Sequence, residues 1–372
     1  MLVNGYKIEP GADLAGADLQ GANLTGANLK GANLQGANLQ GACLQGACLY
    51  NADIQGANLS GAKLRGANLQ IADLHGAELK GADLMDACLF QACLNNADLE
   101  GAQINRADLR RAKLYRANLT GAVLHKANLS SANLYNANLS QTDLCYADLR
   151  SASLSNANLM YARLTGADLD QAHLEGANLT GANLIHVSIK SADLRSADLT
   201  GANLTEAKLW NTKLGNANLT DANLTRANLS CTYFTFANLR GANLKGANLK
   251  DATLAGADLQ GADLEGANLE GANITKEQIR SADNSGSKTY ILNKFLEEIS
   301  FRIDVKISET SKNKDSILAR LDQLASDVAN LAGISKAETP AKTILAAIEA
   351  SNLTLQIMEL VSDAVLDCAD ME

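Results

Sequence analysis

The side chains able to do chemistry are few in this 372-residue chain, and their spacing scatters them. Histidine occurs at His75, His125, His173 and His186, at intervals of 50, 48 and 13 residues. Acid–base catalysis or a metal cage needs several donor groups converging on one point. Seven cysteines are present, four of them as the pairs Cys43/Cys48 and Cys88/Cys93, each pair five residues apart. No G-x-x-x-x-G-K-[ST] phosphate loop occurs. The chemistry that does cluster is recognition. Arg106, Arg110, Arg111, Lys113, Arg116 and Lys126 lie close in sequence to Phe90, Tyr115, Tyr135, Tyr146 and Arg150. Arginine and aromatic side chains are the usual anchors of interfaces.

What must position these groups is a repeat. From Gly11 to Thr275 the chain is 53 consecutive pentads in one unbroken frame, of the form G-A-[DN]-L-x. The fourth position is Leu in 48 of them, the second is Ala in 49, and the first is Gly in only 25. The exceptions at the fourth position stay apolar: Ile54, Ile104, Ile189, Phe234 and Ile274. A period of five fits neither the 3.6-residue helix nor the two-residue strand. It fits a chain that turns a corner every five residues, with Ala and Leu inward. Gly and Asn at the corners tolerate unusual backbone angles.

Tandem A-[DN]-L-x-x resembles the pentapeptide repeat proteins over 265 of the 372 residues. The segment Tyr6-Lys7-Ile8-Glu9-Pro10 resembles the entry of such proteins from cyanobacteria. The resemblance implies an all-β solenoid, a right-handed quadrilateral β-helix with four pentads to a coil. That is about 13 coils of 20 residues, roughly 63 Å long at 4.8 Å per coil. The sequence can test the coil length, because stacked coils place residues i and i+20 side by side. Opposite charges meet at that lag eleven times and like charges four times. Frame-preserving controls give seven against four at lag 15 and six against five at lag 25. Third-position Asn such as Asn118, Asn138, Asn158 and Asn178 are then expected to stack as an amide ladder.

In this geometry the paired cysteines sit on adjacent faces and point apart, and Cys48 and Cys88 lie two coils apart, beyond disulfide reach. No two histidines meet with an acid and a nucleophile. Catalytic, cofactor-binding and metal residues are therefore all expected to be none, and the protein is expected not to be an enzyme. The N-L-[ST] sequons, such as Asn23-Leu24-Thr25, read as by-products of the repeat. The basic cluster becomes a collar around the rod. Arg106, Lys126 and Tyr146 form a column beside Phe90, Arg110, Arg111 and Arg150, while Tyr115 and Tyr135 stack at another corner. Two readings stand: a docking surface, or a solvated face partly neutralised by Asp86, Asp108, Asp148 and Asp170.

Residues 1–10 are expected to cap the first coil. Residues 276–287 open with the capping-box pattern Thr275-Lys-Glu-Gln278 and continue as a linker. Residues 288–372 read as a small all-α module. Within it Ile317, Leu321, Leu324, Val328 and Leu331 step as a coiled-coil seam, the candidate self-association surface of a homodimer.

The formal charge of −9 argues against coating by nucleic acid. No stretch reaches the apolar length of a membrane helix, and MLVNGYKIEP lacks the features of a signal peptide. A cytoplasmic location with reduced thiols is the expectation. The family resemblance implies one alternative, mimicry of duplex DNA to occupy a type II topoisomerase such as gyrase. A duplex of rod length carries roughly 37 negative charges, whereas residues 1–275 hold 25 acids and 21 bases. The reading is therefore a non-catalytic scaffold that presents a rigid surface to a protein partner.

Overall fold

The structure is a computed structural model that describes residues 1–282. It opens with a two-residue hairpin, β1 (Leu2–Val3) and β2 (Tyr6–Lys7), paired Leu2 to Lys7 and Val3 to Tyr6. The turn is Asn4-Gly5 with φ of 48° and 83°, the left-handed pair that matches strand twist. Ile8 is buried, and its N–H donates to the Met1 carbonyl at 2.7 Å. The Tyr6 hydroxyl accepts from the Asp18 N–H at 3.3 Å, tying the hairpin to the first coil.

Each pentad then builds one side of a coil. The Leu14–Ala17 turn closes with Ala17 N–H on the Leu14 carbonyl at 3.0 Å. Its third residue, Gly16, has φ +63°, the left-handed value a type II turn requires there. All fifty-three first-position residues share this conformation, with φ from 54° to 72°, although twenty-eight of them are not glycine. Between turns, third-position residues pair in parallel with residues twenty further on, from Asp13↔Asn33 to Asn248↔Asn268. Backbone hydrogen bonds run along the rod: Leu14 N–H donates to the Asn33 carbonyl at 2.7 Å and Asn33 N–H to the Ala12 carbonyl at 2.9 Å.

The core is the column of second and fourth positions. Every fourth-position residue from Leu34 to Leu264 is at most 1% exposed. Among the described residues the buried polar side chains are three threonines. Thr142, Thr212 and Thr232 each donate the hydroxyl to a backbone carbonyl, Leu139, Ile189 and Leu209 respectively, at 2.7–2.8 Å. Third-position Asn and Asp point outward and accept the N–H two residues on, as Asn118 does from Thr120 at 3.2 Å. This Asx turn fixes the strand end. Some of the same side chains also form a ladder, with Asn118 donating to Asp98 at 2.9 Å and Asn158 to Asn138 at 3.2 Å.

Helix α1 (Lys276–Ser281) ends the described residues. Thr275 caps it, with the Gln278 N–H on its hydroxyl and the Gln278 side chain accepting from Thr275 N–H. The same Gln278 donates Nε2 to the carbonyls of Leu254 and Ala257 at 2.7 and 2.8 Å. Gly261 N–H meets the Ser281 carbonyl at 2.8 Å, so α1 takes up open hydrogen bonds of the last coil. The linker, the all-α module and the seam Ile317–Leu331 lie outside the described residues.

Candidate docking surface

The ten candidate surface residues fall on three of the four corners, because a corner recurs every twenty residues. Arg106, Lys126 and Tyr146 occupy one. Phe90, Arg110, Arg111 and Arg150 occupy the next, and Tyr115, Tyr135 and Arg116 the one after, diagonal to the first.

At the first corner Arg106 makes a fork with Asp86, both contacts 2.7 Å, and Asp86 also lies 3.8 Å from Arg65. The Arg106 hydrogen bond holds the Asp86 carboxyl below its usual range. The His125 and Tyr146 rings meet edge to face at 5.6 Å. Tyr146 lies over Gly166, where a Cβ would come within 2.7 Å of the ring.

The second corner is more neutral than its bases suggest. Arg110 forks onto Asp108 at 2.8 and 2.7 Å, and Arg150 onto Asp148 at 2.9 and 2.7 Å. Both acids are held low by these arginine hydrogen bonds. Arg110 also sits over the Phe90 ring at 5.5 Å. Arg111, next along the chain, forms no ion pair within 4.0 Å among the described residues, and the same holds for Lys113, Arg116 and Lys126.

At the third corner Tyr115 and Tyr135 stack at 6.0 Å and 7°, with Arg116 over the Tyr115 ring at 5.1 Å. Asn156 donates to the Tyr135 hydroxyl at 3.3 Å. Lys113 stands where the Asx acceptor of this pentad would be. The Tyr115 N–H instead takes Asn95 Oδ1, from the preceding coil, at 3.0 Å. Sequence reading missed Asn95, whose signal is its place twenty residues before Tyr115.

Eight of the eleven opposite-charge pairs at lag 20 close within 4.0 Å, among them Lys80–Glu100 at 2.9 Å and Lys250–Glu270 at 3.0 Å. Among the described residues no group of three His, Cys, Asp or Glu side chains could hold a metal. The six described cysteines are free thiols, and burial pushes the Cys93 and Cys145 thiols up, away from the reactive thiolate. No helix among the described residues is long and apolar enough to cross a membrane.

A four-sided parallel solenoid with an aliphatic core and, among the described residues, no buried charged side chain is a repeat scaffold. The model of the family described as pentapeptide repeats matches residues 12–51, 52–91, 92–130, 122–160, 162–201, 202–235 and 232–271. The chain belongs to the pentapeptide repeat family, whose members fold as right-handed quadrilateral β-helices. It is similar to HetL, a pentapeptide repeat protein involved in heterocyst differentiation regulation from the cyanobacterium Nostoc sp. strain PCC 7120. That likeness has 34% identity and a TM-score of 0.23, covering 67% of this chain and 90% of HetL. Rfr23 from the cyanobacterium Cyanothece 51142 is 32% identical with a TM-score of 0.25, over 28% of this chain and 88% of Rfr23. Full-length QnrB1, a plasmid-mediated fluoroquinolone resistance protein, is 18% identical with a TM-score of 0.23, over 60% of this chain and 93% of its own. A search of curated proteins found no match.

Proposed function

We propose that this protein is a non-catalytic scaffold whose rod presents side chains to a protein partner, and that residues 288–372 pair two copies through Ile317, Leu321, Leu324, Val328 and Leu331. The observation that carries the scaffold reading is the division between inside and outside. No charged side chain is buried among the described residues, and each of the three buried hydroxyls is spent on a carbonyl. Pre-organised catalysis needs ionisable groups in a partly desolvated site. Here the charged groups of the described residues stand on the surface, many of them already in close ion pairs, and the one buried thiol, Cys145, is pushed away from the thiolate. A cytoplasmic location accords with this reading.

DNA mimicry finds little support in the same surface. A mimic needs a dense, unpaired acidic column, whereas these acids are interleaved with bases along the rod. A supercoiling assay with gyrase checks this, and no inhibition by equimolar protein is expected. Affinity capture on the immobilised full chain tests the scaffold reading, with saturable, stoichiometric recovery of a protein expected. Recovery of none, or potent gyrase inhibition, would overturn it. Light scattering of the full chain is expected to give a dimer that Leu321→Lys with Leu324→Lys reduces to a monomer.

A further inference from the structure

The four corners carry the same backbone conformation but very different residues. On one, every twentieth residue from Asn51 through Ile71 and Arg111 to Asp251 is something other than glycine, eleven in succession. On the diagonal corner, from Gly21 to Gly261, only Gln141, Tyr161 and Asp221 interrupt glycine. Crowding does not explain the contrast, because a Cβ at Gly101 or Gly121 of the glycine corner would meet nothing within 4 Å. An L-residue in the left-handed region is less stable than glycine there. Side chains along the first corner therefore stand against a backbone cost, so the winding of the chain does not account for them.

The face leading from that corner to Arg116 also carries bases without acids. Across four successive coils, residues 91–96, 111–116, 131–136 and 151–156 contain no Asp or Glu. They contain Arg111, Lys113 and Arg116, the unpaired bases described above. At its centre Tyr115 and Tyr135 stack, with Arg116 over the Tyr115 ring, Asn156 donating to the Tyr135 hydroxyl and Asn95 accepting from the Tyr115 backbone N–H. Ser151, Ser153 and Ser155 add hydroxyls at one end. Acids bound the patch on both sides along the same face, Asp73 before it and Glu175 and Asp193 after it.

We propose that this face docks a short acidic segment of a partner protein in extended form. The inference rests on the scaffold reading and names the chemistry of its partner. Four coils span roughly 19 Å at 4.8 Å each, the length of about six extended residues. Unpaired guanidinium and ammonium groups meet the carboxylates, and the tyrosine stack offers a flat apolar platform between them. A long polyanion fits less well, since it would run from the patch onto Asp73 or Glu175.

The test separates binding from folding by restoring the repeat consensus. Arg111→Gly, Lys113→Asn and Arg116→Gly together relieve two left-handed side chains and restore an Asx turn. The probe is a fluorescein-labelled hexapeptide of glutamate and aspartate, read by anisotropy with the full chain at low and physiological salt. The expected result is that the triple variant melts higher than the parent while binding roughly tenfold more weakly, the loss expected for three surface charge contacts. The control, Gln141→Gly with Tyr161→Gly on the diagonal corner, is expected to melt higher and bind unchanged. Equal binding by triple variant and parent, no binding by the parent, or tighter binding of an oligothymidylate of equal charge would each overturn the proposal. If the peptide fails while affinity capture still recovers a partner, the acidic-segment inference falls and the scaffold reading stands. If capture also fails, both fall.

Discussion

Ile71 is the most costly single residue in the array by backbone criteria. It is β-branched, 43% exposed, and sits at φ +58°, a region such residues almost never occupy. Ile71→Gly is expected to stabilise the protein by about 1 kcal/mol, read as a higher urea midpoint with unchanged slope. The reverse change, Gly101→Ala, should destabilise by a similar amount although its Cβ would touch nothing within 4 Å. The acids forked by arginine carry a second residue-scale expectation. Asp108, Asp148 and Asp193 all have carboxyls held low by Arg110, Arg150 and Arg195. A carboxyl that is more acidic in the folded state contributes stability above its unfolded pKa and loses it as pH falls through the folded value. Stability should therefore be flat from neutral pH down to the ordinary carboxylate range near 4 and fall below it. Replacing the three arginines by Gln should flatten that acid limb in a melting-temperature series.

At the scale of an element, the end of the rod depends on one glutamine. Gln278 supplies half of the capping box and two donors to the carbonyls of Leu254 and Ala257. A parallel coil has open hydrogen bonds only at its ends, so these contacts stand between the last coil and fraying or edge pairing. Gln278→Ala should cost about 1–2 kcal/mol locally. Hydrogen exchange is expected to show faster amides in residues 254–272 and unchanged protection near residue 130. The N-terminal hairpin is a comparable closure built from a different signal. Asn4-Gly5 between short β-formers is enough to specify its two-residue turn.

Over the rod as a whole, stability is distributed along one dimension. Each coil rests on its neighbours through the same hydrogen bonds and the same Ala–Leu layer, so a cavity anywhere in the middle should be felt alike. Leu129→Ala, at a site with 0% exposure, is expected to cost about 2–5 kcal/mol. Leu204→Ala, fifteen pentads nearer the C-terminus and equally buried, should cost the same within the usual scatter. A difference of several kcal/mol in denaturant titrations would mean that the repeat units are not energetically equivalent.

Much of this was legible in residue types alone. Ala and Leu at fixed places in an unbroken five-residue frame called for a chain that turns a corner every five residues, the family resemblance implied four such sides to a coil, and charge pairing at lag 20 favoured that stacking. The recognition residues could be listed from their chemistry, but not sorted. Arg106 and Arg116 look equivalent in sequence, yet one is forked by Asp86 and the other lies over Tyr115 on the diagonal corner. Coils bring together residues twenty apart, and which of them pair depends on side-chain reach across a 4.8 Å step. The chain by itself determined the periodic backbone, because Ala and Leu recurring every five residues can face one interior only if the chain turns at each pentad. Tertiary structure alone decided which bases stay unpaired and which corner bears side chains at left-handed angles, because both depend on neighbours in adjacent coils.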